Sequence, residues 1–438
     1  MNQAATPVMH AVRGTLVDFL DDPQVAGSAA LRHLADGLLV IRDGLIERSG
    51  PADQLLAQLP PGTPVSDRRG AILMPGFVDA HIHYPQTDVI ASHGKQLMDW
   101  LNIYTFPAEG RFADIDHARR VAGFFLDELL RNGTTTAAVY ATVHQHSAAV
   151  LFEAAQARRM RLLTGKVMMD QECPPYLRDT AASSYADSAE LIERWHGRDR
   201  LEYLVTPRFA LTSSHQQLKF AARLLDEYAG VRLQTHIAEN HAEIRLVAAM
   251  FPDSRDYLGV YEDFGLVRPG GLFGHCVHFD ASAWARMAGA GAVAVHCPTS
   301  NLFLGSGLFD INAARAAGVR VALATDVGGG TSFSMLQTMN EAYKVAQMGG
   351  HPFTAQDGFY LATLGGARAL GLAAQIGNFE PGKEADFVAL DPAATPILAH
   401  RSALAATIEE KLFALMMLGD DRAVAATWVL GRPLTPPT

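Results

Sequence analysis

A short apolar, strand-like run that ends in polar residues recurs along this chain, and a stretch with helical spacing follows it. The run occurs eight times, at residues 71–83, 134–144, 161–170, 203–210, 231–239, 271–279, 292–300 and 319–327. One intervening stretch, 117–131, places Val121, Phe125 and Leu129 on one helical face. Near-continuous apolar strands that alternate with helices are typical of parallel sheets buried under their helices. We therefore predict the α/β class and a (β/α)8 TIM-like barrel at residues 69–375.

Both ends of the chain are also strand-like, but they lie outside the eight units. Residues 11–18 and 37–46 have this character, and the second stretch contains Asp43-Gly44, a dipeptide that favours a two-residue hairpin turn. Residues 385–391 and 425–432 are strand-like as well. We predict that residues 1–68 and 376–438 combine into one small β-sandwich domain beside the barrel.

Polar residues occupy the carboxyl ends of the predicted strands. In parallel barrels this face carries the active site, because the loops that follow the strands converge there. We therefore expect the following side chains to lie around one site: His83, His144, Asp170, Arg208, His236, His275, Ser300 and Asp326.

Two histidines, His81 and His83, are separated by one residue at the end of the first run. Successive side chains of a strand alternate faces, so residues two apart point the same way and both imidazoles can reach one metal ion. With 17 histidines in the chain, a buried structural role is the alternative for such a pair. His236, His275 and Asp326 at other strand ends favour a catalytic Zn²⁺ or Fe²⁺ site. Such metals take nitrogen and oxygen ligands and keep one position open for water.

Composition and charge exclude several classes of protein. The formal net charge of −10 disfavours a nucleic-acid-binding surface, which needs a clustered basic face. No run of about 18 apolar residues predicts a membrane span, and the first residues lack the basic start and apolar stretch of a secretory signal. We therefore expect a cytoplasmic protein without a membrane or nucleic-acid partner. Three cysteines without a CxxC spacing argue against a disulfide framework and a cysteine zinc knuckle.

Several longer motifs carry a resemblance to a known family. Residues 75–83 (Pro-Gly-Phe-Val-Asp-Ala-His-Ile-His) resemble the first metal motif of the amidohydrolase superfamily, and residues 380–388 resemble its C-terminal β-domain signature. Narrower matches, at residues 104–109, 165–170, 206–210, 297–307 and 340–345, are similar to the guanine deaminase family within that superfamily. The similarity covers nearly the whole chain. One departure is Ala80, where many members have Thr.

This resemblance implies one Zn²⁺ per chain, with Fe²⁺ as the other candidate, held by four residues: His81, His83, His236 and Asp326. Dinuclear relatives use a carboxylated lysine at the end of strand four. That position lies near Arg208, which cannot form the bridge, so we expect a single metal. Lys166, on the third predicted strand, is expected to be buried or ion-paired. Members of the family are commonly dimers, and the resemblance therefore implies a homodimer.

The resemblance also implies the hydrolytic deamination of guanine to xanthine and ammonia, a step of purine catabolism. A metal lowers the pKa of its bound water to about 7, and Glu239, which follows His236 closely, is expected to carry the proton of that water to the substrate. The alternative for Glu239 is a carboxylate that stabilises a helix N-terminus. His275 and Asp326 are expected to orient the hydroxide and to stabilise the tetrahedral intermediate.

Planar and polar side chains are expected to bind the base. Arg208 offers a fork of donors that suits the O6 and N7 acceptors of guanine, and Gln86 can donate or accept at another edge. Trp100 and Phe209 are candidates for stacking on the ring. Phe209 can equally belong to the core, and Arg208 can form a salt bridge across the barrel mouth. The expected substrate-contacting set is His83, Gln86, Trp100, Arg208, Phe209, His236, Glu239 and Asp326.

The residues leave other functions open. An adenosine- or cytosine-type deaminase or a triazine hydrolase would share the metal ligands and Glu239, and would differ in the residues that face the substrate. A non-catalytic scaffold derived from a hydrolase would have lost ligands, yet each of them is present. A phosphate-binding role for residues 328–331 is weaker, since the spacing lacks the lysine of a P-loop.

Overall fold

The computed structural model describes residues 9–434 of the chain. Its strands are β1 (Met9–Phe19), β2 (Leu31–Arg42), β3 (Leu45–Pro51), β4 (Val65–Pro75), β5 (Phe77–His83), β6 (Thr134–Tyr140), β7 (Arg161–Gly165), β8 (Val167–Met168), β9 (Leu201–Pro207), β10 (Arg232–Ile237), β11 (Leu272–His275), β12 (Val293–His296), β13 (Arg320–Leu323), β14 (Phe387–Leu390), β15 (Val424–Val429) and β16 (Arg432–Leu434). Its α-helices are α1 (Pro23–Ala26), α2 (Ala52–Leu56), α3 (Leu97–Trp100), α4 (Phe106–Gly110), α5 (Ile115–Arg131), α6 (Gln145–Arg158), α7 (Ala181–Trp195), α8 (His215–Glu227), α9 (His241–Met250), α10 (Tyr257–Asp263), α11 (Ala281–Gly289), α12 (Pro298–Phe303), α13 (Ile311–Ala316), α14 (Met335–Met348), α15 (Ala355–Leu361), α16 (Leu364–Ala369), α17 (Pro396–Ala403) and α18 (Ile408–Leu418). Among the described residues, no helix combines the length and the apolar character that a membrane crossing requires.

The barrel strands follow the order β5-β6-β7-β9-β10-β11-β12-β13 and pair in parallel. The short β8 follows β7 and also pairs with β9. Two backbone hydrogen bonds join the segment after β13 to β5, from Asp326 N–H to the carbonyl of His81 (3.0 Å) and from His83 N–H to the carbonyl of Val327 (2.9 Å). Every residue of β5 and β6 is buried, as expected for strands covered on both faces. The predicted (β/α)8 barrel is therefore confirmed.

The remaining strands form a separate seven-stranded sheet, in the order β16-β15-β14-β4-β1-β2-β3. Strands β1 to β4 come from the start of the chain and β14 to β16 from its end, and β4 pairs with both β1 and β14. The small β domain predicted from both chain ends is thus present, and its strands form one sheet where a β-sandwich was predicted. Asp43 and Gly44 connect β2 to β3 with positive φ angles of 54° and 86°, as a two-residue hairpin turn requires.

The first predicted run, residues 71–83, is divided between the two sheets. Strand β4 ends at Pro75 in the small sheet, and β5 begins at Phe77 in the barrel. Gly76 joins them at a point where a Cβ atom would lie 2.1 Å from Thr135 Oγ1, so the chain passes directly against β6. The predicted boundary after residue 68 falls within β4, and the domain bounds remain a prediction.

Buried charges hold the small domain against the amino ends of the barrel strands. Arg200, which precedes β9, contacts Glu384 at 2.6 Å and also contacts Asp386. Arg161, the first residue of β7, contacts Glu384 as well. Because a buried charge without a partner is strongly destabilising, loss of one member of this network would weaken the contact between the two parts of the fold. It lies at the opposite end of the barrel from the carboxyl ends of the strands.

Candidate active site

Four side chains, which we call the His/Asp cluster, point their ligand atoms at one position: His81 and His83 from β5, His236 from β10, and Asp326 after β13. His83 Nε2 lies 3.2 Å from His81 Nε2 and 3.1 Å from His236 Nε2. Asp326 Oδ1 lies 3.2 Å from His81 Nε2 and 3.3 Å from His83 Nε2. The four ligand atoms all lie within 4.8 Å of one another. Three imidazole nitrogens and one carboxylate oxygen at this spacing are suited to hold one metal ion.

Burial favours the neutral form of these histidines. It lowers the pKa of His83 to about 3, and it lowers the pKa values of His81 and His236 below the usual 6.5. The Nδ1 of His236 lies 2.7 Å from the carbonyl oxygen of Arg208, so Nδ1 donates its proton there and Nε2 offers its lone pair to a metal. Burial raises the pKa of Asp326, but its histidine neighbours lower it further, so that the pKa stays well below the usual range.

Metal affinity is expected to fall little between pH 7.5 and pH 5.5. Protons compete with the metal for the ligand nitrogens. If the three histidines had pKa values near 6.5, each would lower the metal affinity about tenfold over that interval, or about 10³ together. The lowered pKa values of His81, His83 and His236 favour unprotonated imidazoles at pH 5.5, so we expect a loss below about tenfold. Competition with a chromophoric chelator at both pH values, corrected for the chelator's own protonation, measures the affinity. A loss near 10³ would contradict neutral, buried ligands.

Glu239 lies between the His/Asp cluster and helix α9, and its carboxylate accepts a hydrogen bond from the Ser306 hydroxyl at 2.9 Å. Other residues cap the helix. The Asn240 side chain accepts from Ala242 N–H, and Glu243 accepts the backbone N–H groups of Glu239 and Asn240 at 3.0 and 3.1 Å. Asn240 and Glu243 therefore cap helix α9, which was the alternative role for Glu239. The side chain of Glu239 instead faces a cavity beside the His/Asp cluster.

The protonation of Glu239 is set by its surroundings. Burial raises the pKa of Glu239 to about 8, the charge of Asp326 adds to the rise, and the hydroxyl that donates to Glu239 opposes it. A carboxyl group whose pKa lies near neutral pH is suited to accept a proton and return it.

His275, the last residue of β11, lies beside both acidic groups. Its Nε2 is 3.4 Å from Glu239 Oε2 and 3.8 Å from Asp326 Oδ2. Its Nδ1 lies 2.9 Å from Asn301 Oδ1, which accepts the Nδ1 proton and leaves Nε2 as an acceptor in the neutral ring. This placement is compatible with the predicted role of His275 in orienting water, and that role remains a prediction.

A cavity opens beside the His/Asp cluster. Leu97, Leu101 and Leu304 contribute apolar walls to it. All of the residues predicted to contact the substrate line it: His83, Gln86, Trp100, Arg208, Phe209, His236, Glu239 and Asp326. The structure thus brings these side chains together, and their individual roles remain predictions.

A buried ion pair holds Arg208 at the wall of the cavity. Its Nη1 donates to both carboxylate oxygens of Glu109, at 2.8 Å each. Gln86 Nε2 donates to the same carboxylate at 3.4 Å. The salt bridge named as the alternative for Arg208 is therefore present, although it does not cross the barrel mouth to another strand but runs to helix α4. Arg208 nevertheless lines the cavity.

Three polar residues from the ends of the second and third predicted strands do not line the cavity: His144, Lys166 and Asp170. Lys166 is fully buried and donates to Asp179 at 2.5 Å, which confirms the expected ion-paired lysine. Asp170 accepts hydrogen bonds from the backbone N–H and the hydroxyl of Ser214, at 2.7 and 2.5 Å. Lys166 and Asp170 therefore stabilise the loops around the barrel.

Sequence reasoning did not single out several polar residues that support the site. Glu109, Ser306 and Asn301 lie inside motifs 104–109 and 297–307, which carried the family resemblance. Asp79 lies inside motif 75–83, and its buried carboxylate accepts the Thr325 hydroxyl at 2.5 Å, which ties β5 to the segment that carries the aspartate of the cluster. Their position inside these motifs could have indicated that the residues matter. Their contacts could be seen only in the structure.

The sequence matches the amidohydrolase family over residues 72–434, a span that includes the barrel, the His/Asp cluster and the C-terminal strands of the small sheet. The chain belongs to the amidohydrolase family. Amidohydrolases are metal-dependent hydrolases, and the His/Asp cluster is one group of described residues that could hold the metal. His81, His275, Cys297 and Asp326 form a second, overlapping group.

Known relatives of this amidohydrolase are similar over nearly its whole length. Guanine deaminase of Escherichia coli (strain K12) is 49% identical over 427 residues, which cover 97% of each chain. A solved structure of the E. coli guanine deaminase matches with a TM-score of 0.95 and covers 97% of this chain and 99% of that one. Guanine deaminase from C. acetobutylicum, solved with bound guanine in the active site, is 29% identical with a TM-score of 0.87, covering 98% of this chain and 100% of that one. The chain groups with the guanine deaminases of the family.

Structures from two other groups of enzymes also match this amidohydrolase. An adenosine deaminase from Xanthomonas campestris with bound zinc has a TM-score of 0.85 at 24% identity, covering 97% of this chain and 92% of that one. A triazine hydrolase variant has a TM-score of 0.84 at 20% identity, covering 97% and 94%. At these identities the likeness shows the shared fold alone.

Proposed function

We propose that this amidohydrolase removes the 2-amino group of guanine by hydrolysis and releases xanthine and ammonia. The observation that carries the proposal is a buried guanidinium, Arg208, on the wall of the cavity that also contains Glu239 and most of the His/Asp cluster. The E. coli guanine deaminase, at 49% identity over 97% of this chain, supports the same substrate. No specific observation favours an adenosine- or cytosine-type deaminase, a triazine hydrolase or a non-catalytic scaffold.

One Zn²⁺ per chain suits the His/Asp cluster, with Fe²⁺ as the alternative, because both metals take imidazole nitrogen and carboxylate oxygen ligands. His81, His83 and His236 would bind it through Nε2, and Asp326 through a carboxylate oxygen. When bound, the metal supplies a water molecule whose pKa is lowered to about 7. The neutral imidazoles and the ionised aspartate fit this ligand role without a prior change of protonation.

Glu239 is placed to move the protons of the reaction. It accepts a proton from the attacking water as the water oxygen forms a bond to C2 of guanine, and it passes that proton to N3. It then takes the proton of the hydroxyl group on C2 and delivers it to the amine. The C2–N bond breaks, a carbonyl forms at C2, and ammonia leaves. His275 and Asp326, within 3.8 Å of each other, orient the water for attack.

The polar wall of the cavity is proposed to bind the purine edge. Arg208 and Gln86 donate hydrogen bonds to O6 and N7, and Trp100 and Phe209 contact the ring. Adenine carries an amino donor in place of O6, so donors on the wall would face a donor on the base. Sites built on buried polar contacts reject a mismatched analogue by about 10⁴ to 10⁵.

A spectrophotometric screen of the purified protein with its metal bound tests the proposal. Guanine, adenine, cytosine, adenosine, guanosine and simple triazines are each supplied, and substrate loss and ammonia release are followed. We expect turnover of guanine, with kcat/KM for adenine lower by at least about 10⁴. If adenine or a triazine is turned over faster than guanine, that compound replaces guanine as the proposed substrate. No turnover of any compound by a metal-containing sample would favour the scaffold.

We also propose a homodimer, a cytoplasmic location and a role in purine catabolism. The resemblance to guanine deaminases supports the homodimer and the cytoplasmic location, and the role in purine catabolism follows from the proposed reaction. Light scattering of the purified protein measures its mass in solution. A mass equal to that of one chain would contradict the homodimer.

A further inference from the structure

Glu109 contacts both polar residues that are proposed to bind the purine edge. It lies on α4, and its carboxylate is completely buried. Both of its oxygens accept from Arg208 Nη1 at 2.8 Å, and Oε1 also accepts from Gln86 Nε2 at 3.4 Å. The Glu109 carboxylate therefore holds two side chains in place: the guanidinium of Arg208, which follows β9, and the amide of Gln86, which follows β5.

The side-chain amide of Gln86 is held in one orientation. Its Oε1 accepts from the backbone N–H of Gly328 at 3.3 Å, while its NH₂ group faces Glu109. The rotated amide would place its oxygen against the carboxylate and its NH₂ group against an N–H, and both contacts are unfavourable. Gln86 therefore offers the cavity its second N–H, a donor, rather than its oxygen.

Arg208 is held in the same way. Its Nη1 is occupied by Glu109, and its guanidinium carbon lies 5.5 Å from the ring centre of Phe106, which is also on α4. Within residues 9–434 its Nε and Nη2 have no protein hydrogen-bond partner, so they can donate to a ligand in the cavity. The negative charge of Glu109 also balances a buried positive charge, which would be strongly unfavourable alone.

We infer that Glu109 is a positioning residue that makes this wall of the cavity a donor wall and thereby sets selectivity for bases with an oxygen at position 6. It acts through Arg208 and Gln86. Guanine O6 accepts from these donors, whereas a base without that oxygen leaves them buried and unpaired. The inference rests on the proposed function, since it specifies how the same cavity selects its base.

The test compares guanine with 2-aminopurine, which has the same 2-amino group but no oxygen at position 6. For the wild-type chain we expect kcat/KM for guanine to exceed that for 2-aminopurine by at least about 10². Glu109→Gln keeps the size of the side chain and removes its charge. We expect it to lower this ratio at least tenfold relative to wild type, mainly through a higher KM for guanine, with little change for 2-aminopurine. Comparison of variants cancels the different intrinsic reactivities of the two bases.

A double-mutant cycle with Arg208→Ala tests whether Glu109 acts through the guanidinium. Arg208→Ala should lower the same ratio, and adding Glu109→Gln should then lower it by a smaller factor than it does in the wild-type chain, because Arg208 carries part of the effect of Glu109. Additive losses from the two substitutions would overturn an action through Arg208. Metal content is measured for each variant, since the inference requires that the metal is retained.

Asp386→Asn is the matched control, because it also removes the charge of a buried carboxylate that contacts an arginine, at the other end of the barrel. It should lower the melting temperature and leave the guanine to 2-aminopurine ratio unchanged. If Glu109→Gln does not fold, Glu109→Asp replaces it with the same expectation. A folded Glu109 variant with the wild-type ratio would overturn the inference and leave the proposed function intact. A loss of the ratio in Asp386→Asn equal to that in the Glu109 variant would do the same. A wild-type chain that does not deaminate guanine overturns the proposed function, and this inference with it.

Discussion

Glu239→Gln is expected to keep the fold and the bound metal and to lose most of the catalytic rate. A glutamine of the same size can still accept the hydrogen bond from Ser306, which lies 2.9 Å from Glu239 Oε1, but it cannot take up and return a proton. Loss of a positioned acid/base typically lowers the rate by about 10² to 10⁴. We expect kcat for guanine to fall by that factor while KM changes little. Ammonia release and elemental analysis of the same sample measure both properties.

Ser306→Ala is the matched control for this prediction, because it removes the hydrogen bond and leaves the carboxyl group in place. We expect a loss of about tenfold or less, the equivalent of one hydrogen bond. A Glu239→Gln variant with near-normal kcat would show that another group transfers the proton. His275, at 3.4 Å from Glu239, would be the first candidate.

Removal of the metal is expected to abolish activity. The His/Asp cluster has three imidazoles and a carboxylate within 4.8 Å of one another, and the reaction requires the acidified water that a metal bound there supplies. Without the metal, the pKa of water returns from about 7 to its far higher value in bulk solvent. Dialysis against a strong chelator should therefore reduce kcat below detection, and one equivalent of Zn²⁺ should restore it. Reconstitution with Fe²⁺ under anaerobic conditions compares the two candidate metals.

Circular dichroism of the metal-free sample is the control for this experiment, because the loss of activity must occur in a folded chain. Full activity in a sample verified as metal-free would contradict the mechanism. A native content near two equivalents would contradict a single-metal centre, which we expect because Arg208 occupies the region of the bridging lysine of dinuclear relatives. Elemental analysis of the protein as purified decides this point.

The barrel could be predicted because each of its strands can be recognised from a local run of apolar residues. Strand β5 and strand β6 are buried at every position, and continuous apolar runs of this kind are typical of parallel strands whichever neighbours they pair with. The division of the first run could not be predicted. Its apolar character continues through Met74 and Phe77, and hydrophobicity does not specify which sheet receives a residue. The close contact of Gly76 with Thr135 marks the change of sheet, and this contact exists only in the folded chain.

The sequence by itself determined that His81 and His83 share one face, because the two-residue repeat is a property of any extended backbone. Only the tertiary structure decided which residues support the site. Glu109 contacts Arg208 across 99 residues of chain, and Ser306 donates to Glu239 across 67. These contacts depend on where separate loops meet above the carboxyl ends of the strands. A loop's local pattern carries no information about the partner that packing places beside it.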